Sequence, residues 1–279
     1  MTITTGFSAG AHRPDVYTHA PGDVIPDALI LQASTVAGRV DGDAPSVRVA
    51  YLVDDDAQFT AEGAVIPDAA PQLAEAVVHT AKITKLVPVS NEQWLQEQTA
   101  GELAQSVARA IVRRADRAFL AEDAPVSPAL APAAGLANTG GLVDGGAIAD
   151  NLDALVDLVA ELEENLSTPS LIVVSPTTWA ALRRLKVGGT DTNESLLGAG
   201  TTDAQPMLLS LPVVRNIAVP AGVGFVIDKS AIVSAVGDVR IANSEHERFS
   251  ADTVVLRATW RIGHSVMRPE RIGKFTVAP

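Results

Sequence analysis

Cysteine is missing from all 279 positions. That excludes a disulfide framework, thiolate metal sites and a cysteine nucleophile. Positive charge is also short: 21 Lys and Arg against 33 Asp and Glu leave a net charge of −12. Without a polybasic face, tight electrostatic binding to nucleic acid is not expected; the acidity suits a surface to which nucleic acid must not adhere. No apolar run reaches the roughly 18 residues that a membrane span needs, and the N-terminus lacks the basic-then-apolar layout of a secretory signal. These absences point to a cytosolic setting. Catalytic signatures are missing too. Gly135–Gly146 lacks the Lys-Ser/Thr of a Walker loop, and there is no nucleophile elbow and no paired-histidine zinc motif. The five histidines, at 12, 19, 79, 246 and 264, are scattered.

What is present starts with Ser90–Leu120. Ser90 with Gln93 reads as a capping box. Trp94/Leu95, Leu103, Val107, Ile111, Ala115 and Phe119 then recur every three to four residues, the apolar stripe of one long helix. About 30 residues predict a rod of roughly 45 Å. Glutamates in its first half and Arg109, Arg113, Arg114 and Arg117 in its second suit the helix dipole. Upstream, residues 1–45 are rich in Pro and Gly with one apolar patch at Ala28–Leu31; such an arm needs another surface, expected on a neighbouring subunit. Ser46–Val53 and Val77–Val89 alternate as strands. The acidic stretch between them makes a long hairpin, and two strands alone are marginal in water. Downstream of the helix, a Pro/Gly-rich link (Glu122–Gly146) precedes a predicted amphipathic helix over Ile148–Leu166. A buried strand follows at Leu171–Val174, then a helix opened by Ser175-Pro176. Residues 186–206 read as a polar, glycine-rich loop. Short strands follow, and Thr253–Met267 is long and alternating, so it is expected in the sheet that the helix crosses.

Candidate chemistry is thin. His246 lies between Glu245 and Glu247, a pattern expected at a surface turn rather than in a catalytic pair. Asp54-Asp55-Asp56 lacks the ligand spacing and glycine of an EF-hand loop; a solvated hairpin tip is the plainer reading. Trp94, Trp179 and Trp260 sit in apolar periodicity and are expected in the core.

The order of these pieces resembles the major capsid protein of tailed bacteriophages, the Hong Kong 97 fold. The resemblance runs over roughly Val24–Val277. It rests on Ile25-Pro26 ahead of Leu-Ile-Leu, on Phe59–Gly63 (FTAEG), and on Lys82–Ser90 (KITKLVPVS) leading into the helix. Asp116–Leu120 (DRAFL), Val213-Val214 and Arg257–Pro269 (RATWRIGHSVMRP) complete it. The resemblance implies an α+β fold with an N-terminal arm (1–45) and an extended β-hairpin loop (46–89). A peripheral domain (90–124 plus 251–268) would hold the long spine helix over an antiparallel sheet, and 125–250 plus 269–279 would form an axial α/β domain.

By the same resemblance the protein is no enzyme and uses no cofactor. Its partners are copies of itself, as pentamers and hexamers, with scaffolding and portal proteins, and with or without decoration proteins. The shell, assembled in the host cytoplasm, encloses double-stranded DNA without sequence-specific binding and involves no membrane. Residues 54–76 contain no lysine, so covalent cross-linking of the extended loop is not expected. Too few residues precede the arm for a long scaffolding segment, so scaffolding is either separate or already removed. Opposite charge suggests that Asp54, Asp55, Asp56 and Glu62 of one subunit meet Arg113, Arg114 and Arg117 of the next. Related readings are an encapsulin-like or gene-transfer-agent shell. A two-lobed α/β small-molecule enzyme is the reading from another class.

Overall fold

The computed structural model describes residues 16–40, 44–53, 59–60, 72–96, 99–187, 195–197 and 206–277. The chain opens with strand β1 (Val16–His19), short helices α1 (Pro21–Val24) and α2 (Leu29–Ala33), and β2 (Thr35–Val40). A hairpin of β3 (Ser46–Val53) and β4 (Gln72–His79) follows, then β5 (Ala81–Ser90), one helical turn α3 (Asn91–Trp94) and the long helix α4 (Thr99–Ala121). Next come β6 (Val143–Ile148), α5 (Asp153–Glu164), β7 (Leu171–Val174) and α6 (Pro176–Arg184). The remainder is strand: β8 (Met207–Leu208), β9 (Leu211–Arg215), β10 (Val223–Ile227), β11 (Ile232–Gly237), β12 (Val239–Arg248), β13 (Thr253–Val266) and β14 (Gly273–Val277).

β13, 14 residues long, is the axis of the first sheet. One edge pairs with β5 from Thr253↔Ser90 to Ile262↔Ala81. The other edge carries β12 and then β11, both antiparallel to it. β1 extends the sheet beyond β12, and β2 runs parallel to β11. Alternation decides which way β13 faces. Leu256, Ala258, Trp260 and Ile262 share one core with Val107, Ile111, Ala115 and Phe119 of α4, while Arg257 points away and is exposed. The buried Trp260 donates its indole N–H to the Gly237 carbonyl at 2.8 Å, which satisfies its one polar atom. The expected stripe and the sheet beneath it are therefore both present.

The rod itself is shorter than the periodicity predicts. α4 has 23 residues, roughly 35 Å, and α3 is a separate turn. Ser90 stands at the N-cap of α3 without a side-chain cap hydrogen bond. Two causes, one long-range and one local, favour the break. Asn91 is tied to the β12–β13 turn, its backbone N–H donating to the Asp252 carbonyl and its side chain to the Asp252 carboxylate. Thr99 and Gly101, where the helix restarts, are weak helix formers.

The second sheet has the order β6-β14-β10-β7-β9-β8. Leu171, Val173, Phe225 and Ile227 face the core shared with α4. Ile172, Val174, Val226 and Phe275 face a second core closed by Leu155, Leu158 and Leu162 of α5 and Leu182 of α6. Burial on both faces explains why Leu171–Val174 is apolar without alternation. α6 starts as read, with Ser175 Oγ accepting the Thr178 N–H at 3.0 Å. The helix predicted over Ile148–Leu166 begins only at Asp153, because Ile148 ends β6 and pairs with Val277.

Two further expectations are corrected. The strand predicted over Val77–Val89 is two strands, cut at Thr80. Its N–H donates to the Pro45 carbonyl at 2.8 Å and its Oγ1 to the Ala44 carbonyl at 2.7 Å, so the chain turns there from the hairpin into the first sheet. A Cβ at Gly263 would fall on the His79 carbonyl, so this corner requires glycine. The arm, expected on a neighbour, lies over its described residues on its own chain. Ile25, Ala28, Leu29, Ile30 and Ala33 are buried in the same core as α4, and β1 and β2 complete the first sheet. Their apolar area is what drives them there.

Candidate assembly surfaces

Of the residues proposed from sequence for contacts between subunits, Asp54, Asp55, Asp56 and Glu62 lie outside the described residues. Arg113, Arg114 and Arg117 are exposed on α4, away from its buried stripe. They are not equivalent. Arg114 forms a two-pronged pair with Glu122, Nη1–Oε2 at 2.6 Å and Nη2–Oε1 at 2.9 Å. That hydrogen bond raises the arginine pKa and lowers the glutamate's. Arg114 is thus engaged within its own chain and clamps the end of the helix. Arg113 and Arg117 make no ion pair among the described residues. Arg109 lies one turn before Arg113, so Arg109, Arg113 and Arg117 form an outer stripe at i, i+4 spacing.

Sequence reading missed two buried titratable groups packed at α4, Asp116 and His264. Asp116 is 6% exposed. Its Oδ1 accepts the Leu29 N–H at 2.9 Å and its Oδ2 accepts the Asn216 side chain at 2.7 Å. Asn216 in turn accepts the Ala218 N–H. One carboxylate therefore joins the arm, α4 and the loop after β9. Burial raises its pKa, partly countered by those two donated bonds. A carboxylate set among Ala115, Ala118 and Phe119 was the available signal. His264 is also buried, its Nε2 at 3.0 Å from the Ala134 carbonyl and its ring edge-on to Phe119 at 5.0 Å. Burial pushes its pKa down to about 4.

These groups hold backbone and do not converge on a reactive centre. A cavity of about 330 Å³ adjoins His264, Lys82 and Arg114, but the imidazole is committed to Ala134 and the guanidinium to Glu122. Among the described residues no three His, Asp or Glu side chains are placed to share a metal ion. His246 is exposed on β12 rather than in a turn. Trp260 is fully buried, and Trp94 and Trp179 pack against the two cores.

The two-stranded hairpin is the unusual element. β3 and β4 pair over eight residues each, Ser46↔His79 to Val53↔Gln72, and neither strand joins a third among the described residues. Its root packs Val47, Val49 and Val78 against Val40, Val233 and Ala235. The connection between the two strands is acidic in sequence, and Phe59 within it is fully exposed. Among the described residues, the hairpin is therefore the candidate contact surface, because no third strand completes it.

The chain belongs to the phage capsid family, whose sequence profile matches residues 28–277. No curated protein matches the sequence. Solved structures share the mixed α+β fold. The capsid of an empty GTA particle, computed with C5 symmetry, is 19% identical with a TM-score of 0.68, over 99% of this chain and 98% of that one. A chain from Mycobacterium phage Bobi is 16% identical with a TM-score of 0.64, covering 100% of both chains. One from Gordonia phage Cozz is 14% identical at 0.64, over 94% and 87%.

Proposed function

We propose that the chain is the major capsid protein of a tailed, double-stranded DNA bacteriophage. It would close as pentamers and hexamers into an icosahedral shell, assembled in the host cytoplasm, with scaffolding and portal proteins as further partners, and with or without decoration proteins. In this reading the fold is of the Hong Kong 97 type. The β3–β4 hairpin is its extended loop, α4 its spine over the first sheet, and the second sheet with α5 and α6 its axial domain. The observation that carries the reading, within a chain of this family, is the hairpin that no third strand joins among the described residues. Isolated two-stranded ribbons are marginal in water and present unpaired edges, so such an element is completed on another copy. Contacts between unlike surfaces generate rings when the rotation closes, and many weak contacts then add.

A gene-transfer-agent shell is the second reading, favoured by the likeness to a GTA capsid. Light scattering on the size-fractionated protein tests the shell. A particle many times the 29.0 kDa chain mass is expected, and a stable monomer at assembly concentrations refutes it. DNA extracted from nuclease-treated particles separates the two readings, a single phage genome against fragments of host DNA.

A further inference from the structure

We infer that a groove between the arm and α4 is the seat of the Phe59 segment of a second copy's hairpin, an assignment that rests on the shell reading above. The groove holds about 290 Å³. Val24 at the end of α1, with Ile25 and Pro26 just after it, forms one wall, and Ala108 and Val112 of α4 the other. Arg109 and Arg113 rim it, with Asp27 as the one carboxylate in its lining. The seat is therefore apolar at its floor and carries an excess of positive charge at its rim. It exists because the arm lies against its own chain: Ile25 and Leu29 anchor the link in the core, and Pro26 and Asp27, both exposed, line the groove opposite the helix.

The occupant is chosen by chemistry. Phe59 is fully exposed, in the connection between β3 and β4. Three consecutive aspartates, Asp54, Asp55 and Asp56, stand just before it in the sequence. An aromatic ring beside a block of carboxylates complements an apolar groove beside two guanidiniums, and aromatic and arginine side chains are the commonest anchors of protein interfaces. Among the described residues the other strongly exposed ring is Phe249, which follows Glu247 but directly adjoins Arg248, a poor match to a positive rim. Knob and seat are different surfaces, so one contact cannot satisfy both copies of a pair. Each subunit gives one hairpin and receives another, which is the arrangement a ring requires. Of the three arginines proposed from sequence, only Arg113 rims this groove. Arg114 is held by Glu122, and Arg117 lies one turn further along the stripe.

The absence of natural cysteine gives a clean test. Shells bearing both Phe59→Cys and Val112→Cys, oxidised and run on a non-reducing gel, are expected to give a ladder of covalent multimers. Each single variant alone should give none, and co-assembled single variants should give dimers. As a second measurement, Arg109→Glu with Arg113→Glu should cut the assembled fraction at least tenfold. Adding Asp54→Lys, Asp55→Lys and Asp56→Lys should recover most of it. Shells that form but leave the cysteine pair unlinked overturn the groove assignment alone, as does a ladder from Phe249→Cys with Val112→Cys instead. Undiminished assembly after the arginine reversal overturns it too. Failure of the parent chain to form any shell overturns the shell reading and this inference together.

Discussion

Replacing Asp116 by alanine should destabilise the subunit by about 2–5 kcal/mol. The figure follows from what the carboxylate holds. Its loss strands the Leu29 N–H, at a residue 1% exposed, and the Asn216 side-chain amide. A buried polar group left unpaired costs about 1–3 kcal/mol. Relief of the carboxylate's own desolvation offsets part of this, so the lower half of the range is expected. Asp116→Asn keeps an oxygen for Leu29 but sets an amide N–H₂ against that of Asn216, which cannot turn over without releasing Ala218. Its cost should be smaller, about 1–2 kcal/mol.

Urea unfolding of unassembled subunits, followed by tryptophan fluorescence, measures both variants. At about 2–4 °C per kcal/mol for a chain of this size, the alanine variant should also melt roughly 5–10 °C lower. The pH dependence has a definite sign. Burial raises the folded-state pKa above the ordinary 3.8. The stability linked to this proton is therefore full below 3.8 and is lost as pH rises through the raised value. The untitratable Asn variant should thus gain on the parent as pH rises from 3.8 toward neutrality. An alanine variant within about 0.5 kcal/mol of the parent would refute the clamp. So would strict additivity with Asn216→Ala in a double-mutant cycle.

His264 gives the opposite limb. With its pKa pushed from 6.5 to about 4, its stabilisation is full above 6.5 and is lost as pH falls toward 4, by roughly 3 kcal/mol. His264→Gln should flatten that loss in a pH series of urea midpoints, and an equal acid limb in both proteins would count against it. Gly263→Ala, which drives a methyl into the His79 carbonyl, should cost about 2 kcal/mol or more. It should also raise hydrogen exchange at the Thr80 corner; unchanged protection there would contradict the packing. Arg114→Ala should cost under about 1 kcal/mol, because the pair with Glu122 is partly exposed. A larger loss of subunit stability, read by the same unfolding assay, would mean that the clamp at the end of α4 has been undervalued.

The elements legible in the sequence were those whose signals are local. The stripe of α4, the alternation of β13, the doubly buried Leu171–Val174 and the Ser175 cap each rest on spacing within a few residues, and each is where expected. What was not legible depended on contacts far along the chain. The arm carries little periodicity, and its anchor at Leu29 is a carboxylate 87 residues away. The strand break at Thr80 is set by the Ala44 and Pro45 carbonyls and by the backbone approach at Gly263, none of which alters the alternation between Val77 and Val89. The gap between α3 and α4 follows from the tie between Asn91 and Asp252, 161 residues apart. For the candidate contacts, the sequence supplied the sign of the charges but not their neighbours. Arg113 and Arg114 are adjacent letters, yet one rims a groove and the other is bound to Glu122.

The claim on which the rest depends is that copies of this chain complete one another in a closed shell. Electron microscopy of the purified, assembled protein tests it most directly. The account predicts icosahedral particles whose reconstruction shows each β3–β4 hairpin lying across a neighbouring subunit. Discrete single subunits, or closed particles in which every hairpin lies on its own chain, would contradict it.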